Sequence, residues 1–291
     1  MKKNFLKMLP MILLLNGLLM NAQTTEGTPA DKDDKTFTVN GVSFVMKFVD
    51  GGTFQMGGTS EQGDDSESYE MPVHSVTLSS YFIGQTEVTQ ALWQAVMGSN
   101  PCSTKGDNLP VEVVSWKDCQ KFISKLNKLT GQKFRLPTEA EWEYASRGGK
   151  NSKGYKYSGS NSLDSVAWYW CNSGDSPLSG EWEFNRMKAN NCKTHPVASK
   201  LPNELGLYDM SGNVCEWCQD WYGSYKSDAQ TDPTGPNVSD LSKDLEYYSY
   251  AYRNVFRGGG WNSEAKFCRS SYRNGNAPSM RTIFLGLRLC L

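Results

Sequence analysis

FRGGGWNSEAKFCRSSYR, Phe256 to Arg273, is the stretch on which the reading of this chain turns. Gly258, Gly259 and Gly260 run directly into Trp261, and one cysteine, Cys268, follows. The thiol is either half of a reactive pair or a structural residue. Arg257, Arg269 and Arg273 lie in the same stretch, and Arg288 lies in a later one. These arginines either face an acidic ligand or hydrogen-bond the carbonyls of the glycine-rich loop.

Moving outward, the whole chain shares the character of this segment. Of 291 residues, 12% are aromatic, with 9 Trp and 14 Tyr, and 27 are glycine. A chain rich in Gly, Trp and Tyr but poor in long apolar runs implies many turns and short elements around an aromatic-filled core. The length suits one large domain or two small ones. No internal repeat and no clean internal boundary is visible, so one domain is the simpler reading. The net charge of -1 gives no electrostatic footprint for nucleic acid.

The chain begins differently. Lys2, Lys3 and Lys7 precede the apolar run MLPMILLLNGLL (Met8 to Leu19), which is too short to span a bilayer comfortably. Small Ala22 then precedes Gln23, so residues 1–22 read as a secretory signal peptide cut after Ala22. No cysteine stands at the cut to take a lipid. Loss of the three lysines takes the charge from -1 to -4. Polar residues 23–36 read as a flexible tether, and residues 37–291 as the folded domain. The expected location is periplasmic or extracellular, with no membrane span after cleavage. All eight cysteines lie in the mature part, which invites disulfides whose connectivity the sequence does not give. Cys171 and Cys192, which bracket a loop-like stretch, are the first candidate pair.

Along the domain, FTVNGVSFVMKFVDGGTFQMGG alternates and breaks at Gly51-Gly52, as two short strands would. HSVTLSSYFIG reads as one more strand. Three helices follow: one capped by Thr89 and stopped by Gly98, one from Ser115 to Gly131, and one opening on a Thr138/Glu141 capping box with Gly148 past its end. In the second, Phe122, Ile123, Leu126 and Leu129 share a face. Beyond residue 150 the chain looks loop-rich, with short strands near Val255 and from Phe284 to Leu289, and SDAQTDPTGPNVSD as a surface excursion.

Seven segments in order resemble the formylglycine-generating enzyme, or sulfatase-modifying factor, family: VDGGTFQMGG, QTEVTQALWQAVM, PVEVVSWKDCQKF, FRLPTEAEWEYASRGG, NELGLYDMSGNVCEWCQDWYG, FRGGGWNSEAKFCRSSYR and LGLRL. They cover about residues 40 to 290. The resemblance implies an α+β class and the C-type-lectin-like fold of that family, low in regular secondary structure. The characterised enzymes oxidise a sulfatase cysteine to formylglycine with oxygen and copper held by two thiolates, a soft ion on soft ligands. Laid onto that pattern, the second thiolate falls on Cys268, but the first falls on Ser263. An active-site serine falls on Gly260, and a tryptophan near the cleft falls on Cys215. A serine hydroxyl stays protonated at neutral pH and cannot replace a thiolate.

The resemblance therefore implies a member without the complete oxidase site, acting as a binding or scaffold module. Its cleft would be marked by Cys215, Cys218, Gly260, Trp261 and Arg269, and would hold a protein, peptide or glycan ligand or an envelope partner. The alternative is a copper- and oxygen-dependent oxidase, or a divergent thiol oxidase pairing Cys268 with Cys215 or Cys218. CEWC (Cys215 to Cys218) is a lone C-x-x-C, and only His74 and His195 could add nitrogen ligands for zinc. The structural alternative is a disulfide, such as Cys218 with Cys268, or buried unreactive thiols. YDMSGNVCEW matches the family's calcium loop, with Asp209 and Glu216 binding by side chain and Gly212 and Val214 by carbonyl. The alternative is that Asp209 caps a turn and Glu216 pairs with an arginine. Trp168, Trp170, Trp217, Trp221 and Trp261 either offer stacking faces to a ligand or fill the core.

Overall fold

The computed structural model describes Met1 and residues 32–237 and 252–291; the expected signal peptide and most of the tether lie outside them. The order of elements is β1 (Lys35–Val39), β2 (Val42–Val49), β3 (Gly52–Met56), β4 (His74–Leu78), β5 (Tyr81–Gly84), α1 (Gln90–Met97), α2 (Trp116–Thr130), α3 (Glu139–Ser146), α4 (Leu163–Val166), α5 (Phe184–Ala189), β6 (Cys215–Trp221), β7 (Gln230–Thr231), β8 (Asn254–Arg257), β9 (Arg273–Asn276) and β10 (Leu285–Leu287). Helices and sheets are mixed, as an α+β class requires. No described helix is long and apolar enough to cross a membrane.

The three long helices fall where local chemistry puts them. Thr89, Ser115 and Thr138 each accept a backbone N–H of the first turn, and α2 and α3 carry complete capping boxes. Each such cap contributes about 1 kcal/mol. Gly98 and Gly131 close α1 and α2 in the left-handed conformation that glycine adopts freely. Cys119, Phe122, Ile123 and Leu126 of α2 are buried at i, i+3, i+4 and i+7. Leu129 shares their face by spacing but is 54% exposed, because the last turn runs past the packed surface.

The strands are harder to parse. The first run forms three strands, not two: Asn40 and Gly41 both take positive φ and turn β1 tightly into β2. β1 also begins at Lys35, inside the segment read as tether. HSVTLSSYFIG forms two strands in different sheets, β4 beside β3 and β5 beside β2. The break at Ser79 is fixed from afar: Asp232 accepts both its N–H and its hydroxyl. The surface excursion in turn supplies β7, which pairs parallel with β4.

The sheets are β1-β2-β5, β3-β4-β7 and β10-β6-β8-β9. One core gathers α1, α2, Met46, Trp217, Leu285 and Leu287. A second gathers Val49, Val76, Ile83, Trp142, Cys218 and Val255. A small third cluster holds Tyr157, Leu163, Val166, Ala167 and Cys268.

Candidate functional site

The triple glycine is a conformational device. Gly258 and Gly259 have φ of +94° and +67°, and a Cβ on Gly259 would stand 2.7 Å from the Cys268 sulfur. Only glycine lets the backbone pass that close. Trp261 is then clasped from two sides: its N–H donates to Asn213 O, and its carbonyl accepts the Ser173 hydroxyl. Its indole N–H donates to Ile283 O at 2.9 Å, which fixes the ring.

Cys268 is fully buried. Burial first, and the neighbouring Cys171 second, push its thiol up to about 12. Ser263, at the partner position, accepts the Gly260 N–H at 2.9 Å and so holds the turn. One hydroxyl and one protonated buried thiol do not fit a Cu(I) ion that needs two thiolates. Cys215 and Cys218 lie three apart on β6, so they point to opposite faces and enter different cores, with Cys215 near enough to Cys268 for the two thiols to raise each other's cost of ionisation. Burial raises the Cys215 and Cys218 thiols well above the ordinary range. All eight cysteines are free thiols, including Cys171 and Cys192, whose sulfur lies 3.8 Å from Trp170 O.

The four arginines are committed to carboxylates, and Arg273 also lines a cavity of about 250 Å³ together with Glu139 and Asp220. Arg257, Arg269 and Arg288 are fully buried and Arg273 is 2% exposed. Arg269 grips Glu70 with two nitrogens at 2.9 and 2.6 Å. Arg273 grips Glu139 with two at 2.7 Å. Arg257 binds Glu143 and Glu139, together with the Ser270 and Ser271 carbonyls. Burial opposes ionisation of Glu139, but Arg273 and Arg257 outweigh it and hold the carboxyl below its usual range. Loop carbonyls are thus secondary partners, and carboxylates from distant elements are the main ones.

In the loop matched to calcium, Gly212 has φ +83° and a Cβ there would meet Trp168 O at 2.3 Å. Asp209 Oδ2 accepts Ala198 N–H at 2.7 Å, while Oδ1 is buried without a partner. Burial pushes Asp209 up to about 6. Glu216 is engaged elsewhere: Arg288 and the Trp142 indole occupy both its oxygens. Asp209 thus accepts a loop N–H and Glu216 pairs with an arginine, the two contacts of the alternative without a metal, while Asp209 Oδ1 keeps no partner. Among the described residues, no three His, Cys, Asp or Glu side chains converge on one point.

Of the cleft residues named from sequence, only Trp261 borders a sizeable cavity, of about 490 Å³. Its other walls include Glu112, Met187, Lys188, Lys193, Thr194 and Ile283. The remaining tryptophans mostly serve the fold: Trp217 is fully buried, and Trp168 stacks on His195 at 3.7 Å. Glu112 escaped the sequence reading. Its signal was an isolated acid in the apolar run PVEVV, Pro110 to Val114.

Residues 35–291 match the sulfatase-modifying factor enzyme 1-like domain. The chain belongs to the sulfatase-modifying factor family. It is 36% identical to the chaperone protein LppX of Paenibacillus barcinonensis over 264 residues, 79% of this chain and 83% of that protein. It is 34% identical to the formylglycine-generating enzyme of Streptomyces coelicolor over 208 residues, 69% of this chain and 58% of that enzyme. Among solved structures, Treponema denticola variable protein 1 aligns with a TM-score of 0.70 and 33% identity, covering 90% of this chain and 99% of that one. PvdO from Pseudomonas aeruginosa shares the fold, with a TM-score of 0.65. Membership of the sulfatase-modifying factor family thus rests on a match over residues 35–291.

Proposed function

We propose that this chain is an exported binding module of the sulfatase-modifying factor family that does not generate formylglycine. The observation that carries the proposal is the state of the thiol site. Cys268 is sealed from solvent, its proton is held firmly by burial, and the Ser263 hydroxyl is committed to the Gly260 N–H. The cavity walled by Trp261 supports a binding role, since it offers a concave surface that mixes apolar side chains with polar and charged ones. The likeness to LppX, a protein described as a chaperone, supports a protein or peptide partner over a glycan. Export rests on the basic and apolar start of the sequence.

The family's calcium loop enters the same proposal. Asp209 Oδ1 is the side-chain oxygen free to meet an ion, with the carbonyls of Gly212 and Val214 beside it in sequence. Glu216 keeps its place on Arg288. Hard oxygen ligands of this kind suit calcium.

The test of the oxidase question is direct. The mature chain, loaded with Cu(I) in air, is incubated with a peptide carrying Cys-x-Pro-x-Arg, and the products are read by mass spectrometry. The expected result is unchanged thiol. Copper-dependent aldehyde that disappears in Cys268→Ala would overturn the reading.

A further inference from the structure

We infer that the cavity beside Trp261 takes a ligand bearing an ammonium group, received by Glu112. The inference rests on the binding reading above and names the chemistry of that site. Glu112 is 1% exposed and lines the cavity. Its Oε1 is anchored by the backbone N–H groups of Ser103 and Thr104, at 2.5 and 3.3 Å. Its Oε2 is buried and accepts no hydrogen bond. A buried carboxylate oxygen left unsatisfied is costly, and native structures seldom retain one without a use. Here the carboxyl is held in place by two donors and leaves its second oxygen for something the chain does not supply.

The surroundings say what that something is. Thr194, 4% exposed, lines the same cavity and carries a second buried oxygen without a partner. The fixed ring of Trp261 and the side chains of Met187 and Ile283 supply the apolar part of the lining. An ammonium group satisfies a carboxylate by a charge-assisted hydrogen bond, and an aromatic face adds to its attraction. Among the described residues no cation donates to Oε2, although Lys105 attracts the carboxylate from a distance. Lys188 and Lys193 line the cavity with their side chains exposed, and neither they nor Lys105 donates to Oε2. Asp175, the other acid on the wall, already accepts the Asn191 amide. Burial lifts Glu112 above the usual carboxylate range, so an incoming cation also relieves the strain of ionising it.

The test uses three probes of one shape and different charge: phenethylamine, 2-phenylethanol and 3-phenylpropionate. Each is titrated calorimetrically into the full mature chain and into Glu112→Gln. Phenethylamine is expected to bind the native chain at least about tenfold more tightly than the alcohol, the least that a charge-assisted hydrogen bond to a buried carboxylate supplies. Glu112→Gln, isosteric and able to keep both backbone donors, is expected to erase that preference. Equal binding of amine and alcohol, or strongest binding of the carboxylate through the lysines, overturns the ammonium assignment and leaves the cavity a binding site. Saturable binding of no probe overturns both. The selectivity of the native chain decides the matter even if the variant misfolds.

Discussion

Two regions of this molecule treat buried charge in opposite ways. Around the glycine-rich segment, Arg257, Arg269, Arg273 and Arg288 are each matched to carboxylates with close, often two-pronged geometry. On the Trp261 cavity, Glu112 is as deeply buried as they are, yet one of its oxygens meets nothing. Matched charge fixes a fold. Unmatched charge on a cavity wall marks a place prepared for something outside the chain. In the proposed reading, the segment that resembles the thiol site of the family's oxidases serves the scaffold, and the binding chemistry lies at the cavity that Trp261 borders.

The comparison breaks most readily on stability. Arg269→Ala strands Glu70, whose side chain is fully buried, without its counter-ion. The expected loss is about 3–5 kcal/mol, measured by urea unfolding. Glu112→Gln removes an acid that is raised by burial and attracted only at a distance by Lys105, so its stability at neutral pH should equal or exceed that of the native chain. If the two variants cost the same, matched and unmatched acids do not differ as argued.

Calcium sharpens the contrast at a second unmatched oxygen, Asp209 Oδ1. Calcium at about a hundredfold excess over its dissociation constant should stabilise the native chain by about 2.7 kcal/mol. EDTA should remove the gain, and Asp209→Ala should abolish it. A thermal shift that survives in Asp209→Ala would place the ion elsewhere.

A last contrast concerns pH. Burial pushes Asp220 up to about 8 from an ordinary value of 3.8, with Glu139 adding to the rise. The folded state therefore holds this proton more firmly than the unfolded chain does. Its contribution to stability is whole below pH 3.8 and is lost as pH climbs towards 8. Asp220→Asn, which keeps an acceptor for the Glu139 N–H, should flatten the fall of stability across that window. An unchanged slope in unfolding experiments at stepped pH would show that Asp220 is ionised in the fold.

How far the sequence reached follows from the range of the forces involved. Caps at Thr89, Ser115 and Thr138 act within one helical turn, so α1, α2 and α3 could be placed to the residue. The strands failed where distant partners intervene, as when Asp232 splits β4 from β5 at Ser79. The CEWC motif looked like a thiol pair along the chain, but a strand sends its two cysteines into separate cores.

By itself the sequence determined the helices, the family motifs in their order and the loss of a thiol at Ser263, because each is written in residue type and local spacing. The tertiary structure alone decided that Arg269 belongs to Glu70, 199 positions away, and that among the described residues nothing donates to Glu112 Oε2. Charge pairing under burial is a property of three-dimensional neighbours. An arginine in the sequence does not show which acid it will meet, and an acid does not show whether it will meet any.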